Sequence, residues 1–217
     1  GQTPLLVAIN YGNYKTIKLF FNHIDSTWDN PIDNLPLFNM IISKNITTKQ
    51  KIKLTNYYIK NNGDINIIDN KSNNIFSFIL ELDNFELFKT FIDLGANIDY
   101  MSSISTTHVL REIYTKSLLT DNLEMINYAL KSNSKIDFNI TDKYLDSFGH
   151  FLLLFRIYKN KGSLQIEKKI LNKIIDFNYP NIDGNTILHL ITMLGWKKYK
   201  TILKNKPLDI FSKNHDG

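Results

Sequence analysis

A triplet of apolar residues at spacing i, i+3, i+4 recurs along this chain and limits the folds open to it more than any other feature. The clearest copies are Ile17/Phe20/Phe21, Phe88/Phe91/Ile92, Ile126/Ala129/Leu130, Leu171/Ile174/Ile175 and Tyr199/Ile202/Leu203. On a helix these positions line up as one stripe on one face. Such recurrence along the chain predicts units that each bury a stripe against their neighbours. One further copy is less regular, with Leu54, Tyr58 and Ile59 as its best fit.

The segments between the stripes carry a second signal. Asp183-Gly-Asn-Thr-Ile-Leu-His189 has eroded counterparts at Thr3-Pro4-Leu5, Leu35-Pro36-Leu37 and Asn74-Ile75-Phe76, and Asp216-Gly217 matches its first two residues. This motif resembles the D-G-x-T-P-L-H opening of the ankyrin repeat. Asp83 to Asp99 is similar to the family's G-N-x-E-I-V-x-x-L-L-x-x-G-A-D-I-N, with Asp83 in place of the glycine between two helices. Asp121 to Asp137 follows it more loosely, with Asn133 at the helix stop that Gly95 fills in the preceding copy. Gly and Asn both tolerate the left-handed backbone that ends a helix, so the exchange keeps the geometry. The resemblance implies an all-α, ankyrin-type helical repeat solenoid of about six repeats with short hairpin-like fingers. Its approximate repeats are 1–33, 34–69, 70–100, 101–138, 139–181 and 182–217, expected to form one array that belongs to a longer one.

The copies depart from the family pattern at definite places. Only His189 is read as filling the histidine position, where the family's imidazole and its neighbouring threonine tie one repeat's turn to the next. Leu6, Phe38 and Ser77 stand at the equivalent sites, so packing is expected to replace those hydrogen bonds. The fourth repeat, around Tyr100 to Tyr114, lacks a T-P-L-H and is placed by its second helix alone. In the second repeat the connection through Ile46-Thr-Thr-Lys-Gln50 is long, and in the fifth Lys159-Asn-Lys-Gly-Ser163 reads as an insertion between helices. Insertions in solenoids map to loops and leave the stack intact.

Composition fits a helical solenoid, since 43% hydrophobic and 12% aromatic residues supply a continuous core. The longest nearly apolar run, Phe148 to Tyr158, is interrupted by His150 and Arg156. It falls far short of the roughly 20 residues that span a bilayer and reads as a buried helix. The absence of cysteine removes disulfide and thiolate chemistry and fits a reducing compartment. Asn45-Ile-Thr47 and Asn139-Ile-Thr141 match the glycosylation triplet, as chance predicts in an Asn-rich chain. Heavy use of Asn, Ile and Lys together with such degenerate repeats suggests the ankyrin arrays of large DNA viruses, intracellular bacteria and protists. An intracellular location, in host-cell cytoplasm or virion, is the corresponding expectation.

Little in the sequence points to chemistry. His23, His108, His150, His189 and His215 are dispersed, without an H-E-x-x-H, so neither a metal nor a catalytic site is expected. No glycine-rich phosphate loop is present, and no cofactor is expected. The formal charge of +5 and the lysines of Trp196 to Lys206 raise the question of nucleic acid. Helical phasing turns Tyr199, Ile202 and Leu203 inward and leaves Lys197, Lys200 and Lys204 on the solvated face. Arg111 and Arg156 are the only arginines for bidentate contacts, so nucleic acid is the least favoured partner.

The resemblance implies a non-enzymatic scaffold that binds a protein partner through a concave face of first helices and fingers. The alternative is a recruitment module within a larger viral or bacterial effector. Candidate contact residues are Tyr11, Lys44 and Glu81 at first-helix ends, and Asp69, Lys71, Tyr100, Met101, Lys143 and Tyr144 in the fingers.

Overall fold

The structure, a computed structural model, describes residues 2–23, 36–100, 108–132 and 136–216. Among these residues are twelve α-helices and no extended strand. They occur as pairs: α1 (Pro4–Asn10) with α2 (Tyr14–Phe21), α3 (Pro36–Ile42) with α4 (Thr48–Lys60), and α5 (Ile75–Glu81) with α6 (Phe85–Asp93). The later pairs are α7 (Val109–Leu119) with α8 (Glu124–Lys131), α9 (Phe148–Lys159) with α10 (Leu164–Leu171), and α11 (Ile187–Leu194) with α12 (Lys200–Leu203), the last entered through a 3-10 turn at Trp196–Tyr199. Two compact units result. The first comprises residues 1–117 and 123–134, and the second comprises 118–122 and 135–217.

In the first unit, first helices pack on first helices, α1 on α3 and α3 on α5, while second helices pack in their own row, α2 on α4, α4 on α6 and α6 on α8. The inward stripes supply the cores between them. Ile17, Phe21, Phe88, Phe91, Ile126 and Ala129 are all fully buried, and Phe21 meets Tyr58 of the next pair edge-on at 5.6 Å. Gly12 shows how closely neighbouring pairs approach. It lies at φ +65°, and a Cβ there would sit 2.2 Å from the Asn45 carbonyl oxygen, so both backbone conformation and space demand glycine. Asp83 and Asp121 hold the equivalent turns at φ +50° and +53°, a conformation that aspartate tolerates better than most residues.

In the second unit α9 packs against both α10 and α11. Its fifth-repeat stripe differs from the sequence expectation. Ser163 caps α10 by accepting the Ile166 N–H, and the helix ends at Leu171, so the inward set is Ile166, Glu167, Ile170 and Leu171. Ile174 is buried in the turn beyond, but Ile175 is 76% exposed because it lies past the end of the helix. The second repeat is also rephased. Thr47 and Gln50 form a capping box that starts α4, which turns Lys51, Leu54, Thr55 and Tyr58 inward and leaves Ile59 half-buried.

Two charged residues therefore occupy stripe positions that hold Ile17 or Phe88 elsewhere, each four residues after its N-cap. Glu167 is fully buried and accepts from Arg156 Nε at 2.8 Å and from Tyr199 Oη at 2.8 Å. Gly162 crosses over this group, and a Cβ on it would lie 2.4 Å from Glu167 Oε1. The expected insertion after Lys159 thus serves to close over a buried ion pair, and part of its extra length is helix, since α9 is longer than the seven-residue α1, α3 and α5. Lys51 is buried too, its ammonium donating to the Ile41 carbonyl at the end of α3.

Among the described residues, five first helices start on polar caps, and in the third repeat a hydrogen bond from Asn74 stands where packing alone was expected. Thr3 Oγ1 accepts the Leu6 N–H at 3.2 Å, and Thr186 and His189 pair across the first turn of α11, Oγ1 to Nδ1 at 2.8 Å. His150 also fills the histidine position, contrary to the reading that His189 alone does so. Its Nδ1 accepts the Ser147 N–H at 3.2 Å and lies 2.9 Å from Ser147 Oγ, so the ring proton sits on Nε2, which donates to the Asn185 carbonyl at 3.0 Å. Asn74 performs both tasks with one amide: Oδ1 accepts the Phe76 N–H at 3.0 Å and Nδ2 donates to the Asn97 carbonyl at 3.3 Å. In the fourth repeat His108 takes the capping role, Nδ1 accepting from the Leu110 N–H at 3.2 Å and Nε2 meeting Asp99 Oδ1 at 2.9 Å. Leu35 and Asn133 lie outside the described residues.

Phe91 has no exposed surface and Lys200 is exposed. Phe91→Ala should lower the unfolding free energy by roughly 3–5 kcal/mol and Lys200→Ala should change it by less than about 0.5 kcal/mol in denaturant titrations. Burial lowers the pKa of Lys51 below its ordinary value. The folded state therefore binds fewer protons there than the unfolded chain, and the penalty on the charged ammonium is greatest below the lowered pKa and fades as pH climbs towards about 10.4. Lys51→Met should accordingly raise stability at pH 7 by about 1 kcal/mol or more. The gap between variant and wild type should narrow in titrations repeated at alkaline pH.

Candidate functional site

The fingers are built from short polar residues that satisfy their own backbone. Asp69 Oδ1 accepts the N–H groups of Lys71 at 2.8 Å and Asn73 at 2.7 Å, and Asp142 does the same for Tyr144 at 2.8 Å and Asp146 at 3.0 Å. Asn181 repeats the arrangement with Asp183 at 3.1 Å and Asn185 at 2.9 Å. Each turn passes through a left-handed residue, Ser72 at φ +58°, Leu145 at +58° and Gly184 at +76°. Neighbouring fingers are linked by the Ile182 N–H to the Tyr144 carbonyl at 2.9 Å and by the His215 N–H to the Asp183 carbonyl at 3.1 Å.

A second ladder runs through the turns after the second helices. Asn66 Oδ1 accepts the Asn97 N–H at 2.6 Å, Asn139 Oδ1 the Ile175 N–H at 3.0 Å, and Asn178 Oδ1 the Asp209 N–H at 2.8 Å. Aspartates two residues earlier, Asp64, Asp137 and Asp176, orient each asparagine by accepting its own backbone N–H at 2.7 to 2.9 Å. These polar groups are committed to architecture.

On the first-helix side each unit has a groove. The one in the first unit lies between α5 and α7, holds about 400 Å³, and is lined by Asn73, Ser77, Leu80, Glu81, Glu112 and Lys116. Burial raises the pKa of the Glu112 carboxyl. The groove in the second unit lies between α9, α11 and the finger residues, holds about 310 Å³, and combines Leu154, Ile157, Tyr158, Leu190 and Met193 with Asp183, Asn185, His215 and Asp216. Tyr158 is 76% exposed and Met193 60%. Among the described residues no group of three His, Cys, Asp or Glu side chains is placed to hold a metal ion, and no helix is long and apolar enough to cross a membrane.

No family model matches the chain. It is 26% identical to an ankyrin repeat protein of Acanthamoeba polyphaga mimivirus over 273 aligned positions, which take in 100% of this chain and 34% of that protein. The chain thus spans about a third of that relative's length. Among solved structures it is similar to the ankyrin repeat domain of Bcl-3, with a TM-score of 0.67 at 16% identity, covering 100% of this chain and 91% of that one. The chain has the ankyrin-repeat fold. The ankyrin repeat protein EF0377 is similar as well, at TM-score 0.58 and 14% identity over 94% of this chain and 97% of that one. So is a chain from the structure of the Bd0816 predatory endopeptidase of Bdellovibrio bacteriovorus with immunity protein Bd3460, at TM-score 0.59 and 16% identity over 95% and 100%.

Within this ankyrin frame the residues expected to touch a partner are scattered. Glu81 lines the α5/α7 groove, Tyr11 is 82% exposed at the end of α1, and Lys44 is exposed beyond α3. Lys71 and Lys143 are exposed on their fingers, and Lys143 Nζ stands 5.0 Å from the ring of Tyr144, itself 51% exposed. Asp69 is held within its own turn by Asn73, and Tyr100 is half-buried with its hydroxyl donating to the Ser72 carbonyl at 3.1 Å, so both act in building fingers. Met101 lies outside the described residues. Sequence reasoning did not single out Glu112, Leu154, Ile157, Tyr158 or His215 as lining residues. A usable signal was present for three of them: the apolar run Phe148–Tyr158 holds more apolar residues than one buried stripe can absorb, so some must face outward.

Proposed function

We propose that this ankyrin array is a non-enzymatic module that binds a protein partner through its first helices and fingers. The observation that carries this reading is the α9/α11 groove, where exposed Tyr158 and Met193 flank the half-buried Leu154 and Ile157. Contiguous apolar surface rimmed by polar groups marks interaction sites, and tyrosine is a favoured anchor because it offers a large rigid area at low entropic cost. The candidate contacts Tyr11, Lys44, Glu81, Lys71, Lys143 and Tyr144 would extend the binding surface across the same helices and fingers.

A recruitment module inside a longer protein is the second reading, favoured by a longer viral relative, only 34% of which the match covers. The corresponding setting would be the interior of an infected cell or a virion. Nucleic acid is disfavoured by the fate of the basic side chains. Arg111 is buried, Arg156 is bound to Glu167, and Lys206 donates to the Asn172 carbonyl at 3.2 Å and to Ile174 while lying 5.1 Å from the Phe177 ring.

The test compares proteins captured from a host-cell lysate by the wild-type chain with those captured by two variant sets. A partner retained by the wild type should be lost on the combined change Tyr158→Ser and Met193→Ser and kept on charge reversal at Lys197, Lys200 and Lys204, with helical circular dichroism unchanged in both. Retention by the groove variant and loss only with the lysine variant would contradict the proposal. Steep salt-dependent binding of an oligonucleotide would do so equally.

A further inference from the structure

We propose that the α9/α11 groove takes a segment of the protein partner that carries an apolar side chain next to a lysine or arginine. This rests on the protein-binding reading above and names the chemistry of the segment. The groove has two distinct parts. Leu154, Ile157, Tyr158 and Met193 give it apolar walls, and the carboxylates of Asp183 and Asp216 stand on the finger side.

Hydrogen bonds in the finger fix the backbone that carries those carboxylates. The Asp183 N–H donates to Asn181 Oδ1 at 3.1 Å and its carbonyl accepts from His215 at 3.1 Å, while the Asp216 N–H donates to Asn214 Oδ1 at 3.2 Å. Neither carboxylate has a hydrogen bond or ion pair with another described residue, and both are exposed. Arg156 of α9 is turned inward onto Glu167 at 2.8 Å. No lysine or arginine lines the groove, in a chain whose formal charge is +5. The groove is therefore a local negative site beside an apolar surface. Charge complementarity selects a cationic neighbour for whatever apolar group enters, and like charge rejects acidic segments. A volume of about 310 Å³ suits a few side chains of a peptide segment rather than a folded domain's whole face.

The experiment selects random peptides displayed on phage against the immobilised whole chain and measures the affinity of a synthetic peptide taken from the selection. Enriched sequences should place Leu, Phe or Met close to Lys or Arg. Affinity should fall about tenfold or more on combined Asp183→Asn and Asp216→Asn, and likewise on combined Tyr158→Ser and Met193→Ser. Added salt should weaken the wild type more than the Asn variant. Hydrogen exchange and circular dichroism on each variant separate loss of contact from loss of fold. Enrichment of acidic or uncharged peptides, or binding indifferent to all four positions, would overturn the inference and leave protein binding in place. An absence of any enriched peptide would also overturn it, and the lysate capture would then decide separately whether the broader reading survives.

Discussion

Every first helix here must begin with its leading amide groups satisfied, and the remaining architecture depends on how that is done. In α1, α3, α5 and α11 the helix has only seven or eight residues. Such a helix does not hold itself together in water, because nucleation consumes more entropy than so few hydrogen bonds return. Stability comes from burying the inward stripe and from a cap that fixes where the helix starts. The cap residue also fixes the finger before it, and the finger positions the next pair. Thr3, Asn74, His108, Ser147 with His150, and Thr186 with His189 are different chemical answers to that one requirement.

The sequence reveals the parts of the fold where a stripe is wholly apolar and hides those where it is not. Phe88, Phe91, Ile126 and Ala129 are buried as their spacing predicts, since helical phase alone decides which way they face. Glu167 and Lys51 break the pattern because each is made tolerable by a contact that spacing does not show. Glu167 depends on Arg156 and on Tyr199, 32 residues away, and Lys51 on a backbone carbonyl. Ile175 was misread for a simpler reason: its helix ends four residues earlier, so the periodicity no longer applies. His150 was overlooked because Phe148 and Gly149 stand where the family motif has proline and leucine. The Ser-x-x-His spacing was nonetheless intact.

The candidate site was less legible than the fold. A finger's polar residues look available in sequence, yet Asp69 and Asn181 spend their acceptors on their own turns, and Tyr100 spends its hydroxyl on a neighbouring one. What is left for a partner is set by surplus. The added length of α9 brings Tyr158 beyond the part of the helix that needs burying, and Asp183 and Asp216 stand in a groove that no lysine or arginine lines.

The central claim is that specific polar ties at the helix starts, rather than general packing, hold successive repeats in register. Hydrogen exchange followed residue by residue in His150→Leu tests it most directly, because leucine keeps the apolar bulk and removes the bonds to Ser147 and to the Asn185 carbonyl. The account predicts a loss of about 1–3 kcal/mol in stability with accelerated exchange concentrated in the 181–185 finger and the first turn of α11. Unchanged stability with unchanged protection of those amides would contradict it.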